Sequence, residues 1–276
     1  MKIRDILIGK KIFSVSSDDQ YLTAMGPTFE PHMVQLFHAL VDQNDVVADI
    51  GANIGLTALL FSQLARHCYA FEPSPSTFEI LSVNLKNNFS QNVEPFNLGF
   101  GNQTENLNLT FAKNNRSGGF VSEKIQIERD HQTEKIKIDT LDNFFSGDRM
   151  LPDFLKIDVE GFEQNVIRGG KGLLANQRPL VVMEMNHFCL DVLQRITIPD
   201  FLDFLRGTFP ILYAIDNDNT TIIDLHVPHD AYFVMYEHVV RHRFSNLVGG
   251  YSMDIKGKLD GLVYEALGEG TLVGSR

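Results

Sequence analysis

Val46-Val47-Ala48-Asp49-Ile50-Gly51-Ala52-Asn53-Ile54-Gly55, followed by Phe71-Glu72-Pro73, decides how this chain is read. The first five residues, apolar apart from Asp49, are β-branched enough to form a buried strand, and a glycine turn then leads into an apolar helix. Glycines at 51 and 55 carry no Cβ and suit a turn that backbone or ligand approaches closely. The helix beginning near Ile54 directs free N–H groups toward that turn. Glu72, closing the second strand, stands where a carboxylate takes the two hydroxyls of a ribose. Together these features predict a site for a nucleoside-bearing cofactor.

Asn53 chooses among cofactors. A dinucleotide fingerprint needs glycine two residues after the first, to make room for a pyrophosphate. A side chain there crowds a pyrophosphate and tolerates a smaller, less charged tail. NAD or FAD, and a purely structural turn, are the alternatives.

Working outward, alternating strands and helices predict a mostly parallel sheet with helices on both faces. Strands are expected at Val46–Ile50, Cys68–Phe71, Val93–Leu98, Phe154–Asp158, Leu180–Met185 and Ile211–Ile215. A small extra strand is expected at Thr221–Leu225 and a last one at Ala231–Met235. Residues 1–45 read as a helical cap, with Pro31 at a helix start and Val34, Leu36, Phe37, Leu40 and Val41 at helical spacing. Residues 46–248 read as the main domain, with an antiparallel insertion near 103–139. Within it Asn106–Phe111, Lys124–Glu128 and Lys135–Ile138 alternate like half-exposed strands, and Asn114–Gly119 reads as a flexible polar turn. Residues 249–276 read as a tail with one helix, its end from Gly268 disordered.

The 276 residues, 43% of them hydrophobic, suffice for one large α/β domain. No apolar run reaches the roughly 18 residues of a membrane span, and Met1-Lys2-Ile3-Arg4-Asp5 does not read as a signal peptide. The two cysteines, Cys68 and Cys189, lack metal-ligand spacing and read as free thiols of a cytoplasmic protein. A formal charge of −11 argues against a nucleic-acid partner. A homodimer is left open.

A second block, Asp153-Phe154-Leu155-Lys156-Ile157-Asp158-Val159-Glu160-Gly161-Phe162-Glu163, follows Lys137-Ile138-Asp139-Thr140-Leu141-Asp142 and precedes Met183-Glu184-Met185-Asn186. The D-x-G-A-N-x-G turn by itself resembles motif I of class I methyltransferases. With the later blocks in this order, the chain from about Phe29 to Asn186 resembles the FkbM family of S-adenosylmethionine-dependent methyltransferases. The resemblance implies a Rossmann-like class I fold with a seven-stranded sheet in order 3-2-1-4-5-7-6, strand seven antiparallel. It implies O-methylation of a sugar or secondary-metabolite hydroxyl. It also implies that Asp49, Gly51, Asn53 and Gly55 hold the methionine end of S-adenosylmethionine, that Glu72 holds the ribose, and that Asn97 and Leu98 contact the adenine.

The acceptor chemistry falls at the carboxyl ends of strands four and five. In one reading Asp158 or His187, with Glu184 beside them, is the general base. In a second, Asp158, Glu184 and Asn186 bind Mg²⁺, since hard oxygen ligands suit it. In a third, these groups are structural, with Asp158 and Glu160 capping the helix after Gly161. Lys156, inside an apolar strand, requires an acidic partner. His238 and His242 read as surface residues. A binding protein without transferase activity, an N-methyltransferase and an NAD-dependent oxidoreductase are the rival functions.

Overall fold

A computed structural model describes residues 1–125 and 127–267. The chain opens with an antiparallel hairpin, β1 (Lys2–Ile8) and β2 (Lys11–Ser17), and two helices, α1 (Tyr21–Ala24) and α2 (Pro31–Leu40). Then β3 (Val46–Ile50), α3 (Leu56–Leu64), β4 (His67–Phe71), α4 (Pro75–Asn87) and β5 (Val93–Phe96) form the first parallel βαβαβ half. A second sheet follows, built from β6 (Gly99–Phe100), β7 (Glu105–Ala112), β8 (Asn115–Val121) and β9 (His131–Asp139). The chain returns through α5 (Leu141–Phe144) to β10 (Phe154–Ile157), α6 (Glu163–Arg168), α7 (Lys171–Gln177) and β11 (Leu180–Glu184). A π-helical turn (Cys189–Gln194) and α8 (Ile198–Thr208) lead to β12 (Ile211–Ile215), β13 (Ile222–Asp224), α9 (Pro228–Arg241), β14 (Asn246–Gly250) and α10 (Asp254–Leu267). Among the described residues no helix is long and apolar enough to cross a membrane.

The main sheet has eight strands, in the order β13-β12-β14-β11-β10-β3-β4-β5, rather than the expected seven. The eighth is β13, a short edge strand that folds back on β12 through three residue pairs. The other seven, numbered along the chain, lie in the order 6-7-5-4-1-2-3, with β14 antiparallel to both neighbours. Strand alternation divides the core. Val47, Cys68, Phe154 and Val182 face α2, α3, α10 and the N-terminal hairpin. Val46, Ala48, Ile50, Leu155 and Val181 face α7, α8 and α9.

The last strand is not Ala231–Met235, which lies within α9. Ala231 and Val234 are buried while Tyr232, Phe233 and Tyr236 are exposed, a helical stripe in a segment whose aromatic content suggests a strand. The strand is Asn246–Gly250, fully buried between β11 and β12. Its glycines are closely packed: a Cβ at Gly250 would lie 2.2 Å from Ile255 Cδ1 and one at Gly249 2.8 Å from the Phe209 ring. The boundary drawn at 248/249 therefore falls inside a strand, and α10 packs on α2 in the main core.

Within residues 1–45 the helix expected from Pro31 is α2, but the segment opens with a hairpin that belongs to the main core. Ile6, Ile8, Phe13 and Val15 of the hairpin share one core cluster with Phe37 and Phe61. The insertion is a four-stranded sheet, with β7 antiparallel to β8 and β9 and with β6 parallel to β9. Asn114–Gly119 mostly belongs to strand β8 rather than to a turn, and the described residues of Lys124–Glu128 are irregular. Residues 268–276, read as disordered, lie outside the described residues.

Candidate active site

The turn after β3 is braced from behind by neighbouring protein and lines a cleft on its other side. Gly51 (φ +81°), Asn53 (φ +49°) and Gly55 (φ +100°) all take left-handed backbone conformations. A Cβ at Gly51 would sit 1.9 Å from the Asp158 carbonyl oxygen, and one at Gly55 2.7 Å from Leu81 Cδ1. Glycine is thus demanded at 51 by the Asp158 backbone and at both places by their left-handed φ, in addition to any approach by a ligand. The Gly51 and Ala52 N–H groups both donate to the Phe71 carbonyl, which ties the turn to β4.

Glu72, at the end of β4, spans that junction. Its carboxylate accepts from Asn53 N–H at 3.0 Å and from Ser74 N–H at 2.9 Å. Burial pushes its carboxyl up to about 7, against the opposing pull of those two N–H groups. Asn97 does not face the cleft that opens here. Its amide donates to the Glu72 and Pro73 carbonyls, 2.9 Å each, and holds the Glu72 loop from behind. The cleft wall expected from Asn97 and Leu98 is instead made by Gly99 and Phe100.

Lys156 lies directly opposite Asp49 in the β10–β3 register, so their side chains meet across the sheet. Its Nζ lies 2.7 Å from the Gly51 carbonyl, 3.2 Å from Asp49 Oδ1 and 3.4 Å from Asp158 Oδ2. Burial opposes the ammonium charge, but Asp49 and Asp158 outweigh it and hold the group above its ordinary value. Thr57 Oγ1 donates to the other Asp49 oxygen at 2.6 Å. The partner that Lys156 requires is therefore Asp49, with Asp158 as a second.

Asp158, Glu160 and Glu184 each place a carboxylate oxygen within 4.8 Å of the others. Burial, and then the Asp158 charge, push the Glu160 and Glu184 carboxyls up, Glu184 further. Asn186 stands behind this cluster: its amide is 3.4 Å from Glu160 Oε2, and its oxygen accepts from Cys189 N–H. The Mg²⁺ set read from sequence, Asp158, Glu184 and Asn186, is thus not assembled. Glu160, read as a helix-start acid, takes the third place.

His187 is not beside the cleft. Its ring packs against His238 (centroids 5.1 Å apart) and stacks on His242 (5.3 Å), and its N–H donates to His238 Nε2. His238, expected at the surface, is buried.

Glu163 supports the turn after β10. Its Oε1 accepts from Val159 and Gly161 N–H, while Oε2 is buried without a partner. Burial pushes this carboxyl up from 4.5 to about 8. The folded state therefore keeps a proton that the unfolded chain releases above about 4.5, so the stabilisation present in acid is lost as pH rises toward 8. The urea midpoint is expected to fall between pH 5 and pH 8.5, and to fall less in Glu163→Gln. An equal fall in both proteins removes Glu163 as the cause.

These groups line a cleft of about 280 Å³ that runs over the β3 turn to Asp158 and Glu184. Tyr21, Phe29 and Met33 wall one side, and Leu109, Arg116 and Val121 of the second sheet wall the other. Arg116 ties the two walls together. Its guanidinium is bidentate on Asp18 (2.9 and 2.8 Å), and its N–H donates to Asp19 Oδ2 at 2.8 Å. Arg116 falls in the stretch read as a polar turn, so its place in the cleft was invisible without the β7–β8 pairing. A second recess of about 380 Å³ shares Glu30, Met33, Lys156, Asp158 and Glu184 with the cleft.

A glycine turn after the first parallel strand, an acid after the second and carboxyls after the fourth and fifth form one crevice at the carboxyl edge of the sheet. The sequence model of the Methyltransferase FkbM domain matches residues 49–207, which contain all of these elements. The chain belongs to the FkbM methyltransferase family. Hexuronic acid methyltransferase AglP of Haloferax volcanii is 27% identical over 170 residues, 62% of this chain and 68% of that protein. Methyltransferase 1 of Beauveria bassiana is 28% identical over 142 residues, 45% of this chain and 57% of the relative. A solved FkbM methyltransferase from Methylobacillus flagellatus is similar at 17% identity and a TM-score of 0.46, covering 76% of this chain and 44% of that one. The chain thus spans about two thirds of the first relative, just over half of the second and under half of the solved structure. In this FkbM methyltransferase the β3 turn, Glu72 and the β10 turn fall inside the matched segment, while Tyr21 and Glu30 precede it.

Proposed function

We propose that this methyltransferase uses S-adenosylmethionine to methylate a hydroxyl of a sugar or secondary metabolite. The observation that carries the reading is the continuity of the crevice: Lys156 and Asp158 lie between the Glu72-bound turn and the second recess, and line both spaces. The residues suit the cofactor. Glu72 keeps lone pairs for two ribose hydroxyls after accepting its two backbone N–H groups. Asn53 blocks a pyrophosphate path, and the turn from Asp49 through Gly51 to Gly55 is left for the methionine end.

S-adenosylmethionine, when bound, supplies a methyl group on a sulfonium, so that the acceptor oxygen gains a C–O bond as the C–S bond breaks. The protein aligns the hydroxyl and takes its proton. Asp158 receives that proton, and Lys156 orients its carboxylate. Glu184, whose proton is retained, serves as a hydrogen-bond donor to Asp158 or to the acceptor. The Haloferax relative's acceptor, a hexuronic acid by name, favours a carbohydrate.

The test is a calorimetric titration with S-adenosylhomocysteine, with NAD as control. Micromolar binding of the former alone is expected; binding of NAD alone, or of neither, defeats the reading. Glu72→Ala is expected to weaken S-adenosylhomocysteine by about 1–3 kcal/mol, the range for a lost charged hydrogen-bond partner. Undiminished affinity removes the ribose assignment. One observation favours a second reading, namely the close approach of Asp158, Glu160 and Glu184. Activity lost in EDTA and restored by Mg²⁺ would assign these three to a metal ion instead.

A further inference from the structure

We propose that the second recess admits an acceptor that is neutral or cationic around the methylated hydroxyl and rejects an anionic one, with Glu30 and Asp158 setting this specificity. The inference deepens the proposed function and rests on it.

The charge inventory of the recess carries the argument. Glu30, Asp158 and Glu184 reach it from three separate elements: the loop before α2, the end of β10 and the end of β11. Its other polar groups are neutral, including Asn217, Ser245 and Asn246. Lys156 is the single Lys or Arg lining it among the described residues, and it is already paired with acids of the chain. Its Nζ donates to the Gly51 carbonyl and lies 3.2 Å from Asp49 Oδ1 and 3.4 Å from Asp158 Oδ2, and only 6% of its side chain is exposed. His32 also lines the recess, but burial lowers its pKa, so it carries no charge at neutral pH. In the adjoining cleft the other cation is Arg116, which Asp18 holds in a bidentate pair.

A carboxylate on the acceptor would find no free cation here and would face the acidic side chains of Glu30 and Asp158, with Glu184 a neutral neighbour. Such juxtaposition suppresses wrong partners. Neutral hydroxyls find carboxylate and amide acceptors, and an ammonium finds counter-charges. A hexuronic acid, which the Haloferax relative methylates by name, is the kind of acceptor this recess refuses.

The same field acts on the cofactor's own charge, which gives a test that needs no knowledge of the acceptor. S-adenosylmethionine carries a sulfonium, and S-adenosylhomocysteine is its neutral counterpart. Both are titrated calorimetrically into the full chain at pH 7.5 with EDTA present. S-adenosylmethionine is expected to bind at least about fivefold tighter, with the ratio shrinking in Glu30→Gln and in Asp158→Asn. In parallel, tritium transfer is measured to matched methyl hexosides, 2-amino-2-deoxyhexosides and hexuronides of the gluco, galacto and manno series. Transfer to neutral or amino sugars is expected to exceed transfer to uronides at least tenfold, or about 1.4 kcal/mol.

A uronide methylated as fast as its neutral counterpart overturns the inference. If every sugar is refused, the cofactor ratio decides: a fivefold preference supports the negative recess, and equal affinities overturn it. Binding of neither nucleoside is a separate result, which removes the cofactor reading itself and this inference with it.

Discussion

Replacing Lys156 by Met is expected to lower the thermal midpoint by roughly 6–20 °C. Removing one member of a buried ion pair costs about 3–5 kcal/mol, and each kcal/mol moves a domain of this size by about 2–4 °C. The cost falls on Asp49, which is 0% exposed and central in the sheet. Without the ammonium, Asp49 keeps only the Thr57 hydroxyl as a close donor. The Gly51 carbonyl also loses its 2.7 Å donor, so the turn loosens as well. The double variant Asp49→Asn with Lys156→Met is the control, because removing both charges leaves no unpaired ion. It is expected to recover most of the loss, and calorimetric melting reads both effects. A single variant melting within about 2 °C of the parent would show that Asp49 is neutralised without Lys156.

The parts of the fold legible in sequence are those where local and global preferences agree. Val46–Ile50 is strand-forming, apolar except for Asp49, and buried at every position. Pro31 and Pro75 stand at the starts of α2 and α4, and Ser74 caps α4 by accepting from Thr77 N–H. The failures have a common cause, that packing partners distant in sequence overruled local signals. Asn-Leu-Val-Gly-Gly does not look like a strand because glycine weakens one. Here the Phe209 ring presses on Gly249, and a Cβ at Gly250 would displace the end of Ile255. Tyr232, Phe233 and Tyr236 look like strand residues, yet they lie on the outer face of a helix begun by Pro228.

The candidate site divides in the same way. Asp49, Glu72, Asp158 and Glu184 were legible because each ends or nearly ends a strand of the parallel sheet, and such ends converge on one crevice. Glu160 and His187 were misplaced because loop geometry decides them. Glu160 sits at φ +52°, beside Gly161 at φ +94°, and this sharp turn swings its carboxyl back toward Asp158. His187 follows β11 closely, but the chain turns away there and its ring joins His238 and His242. Glu30 and Arg116 lie outside the sheet altogether, and only tertiary packing brings them to the cleft.

Asp158→Asn is expected to lower kcat by about 10²–10⁴, the usual contribution of a general base, while S-adenosylhomocysteine still binds. The choice of Asp158 over its neighbours follows from their surroundings. Glu184 keeps its proton because burial and Asp158 raise it, so it is a poor base at neutral pH. Glu160 is raised for the same two reasons and is also engaged by Cys189 Sγ at 3.1 Å. His187 is turned into the histidine cluster and lines neither cavity. Asp158 is 44% exposed at the side chain, lines both cavities, and has Lys156 fixing one of its oxygens. Asparagine preserves shape and leaves an oxygen for Lys156, so the variant should melt within a few degrees of the parent. Folding and S-adenosylhomocysteine binding thus stay intact while proton removal is lost, and that separates a base from a structural counter-ion. A variant retaining more than about a tenth of kcat would confine Asp158 to pairing with Lys156. Proton removal would then pass to Glu160, the remaining cleft carboxyl of the cluster, and Glu160→Gln would have to show the loss that Asp158→Asn did not.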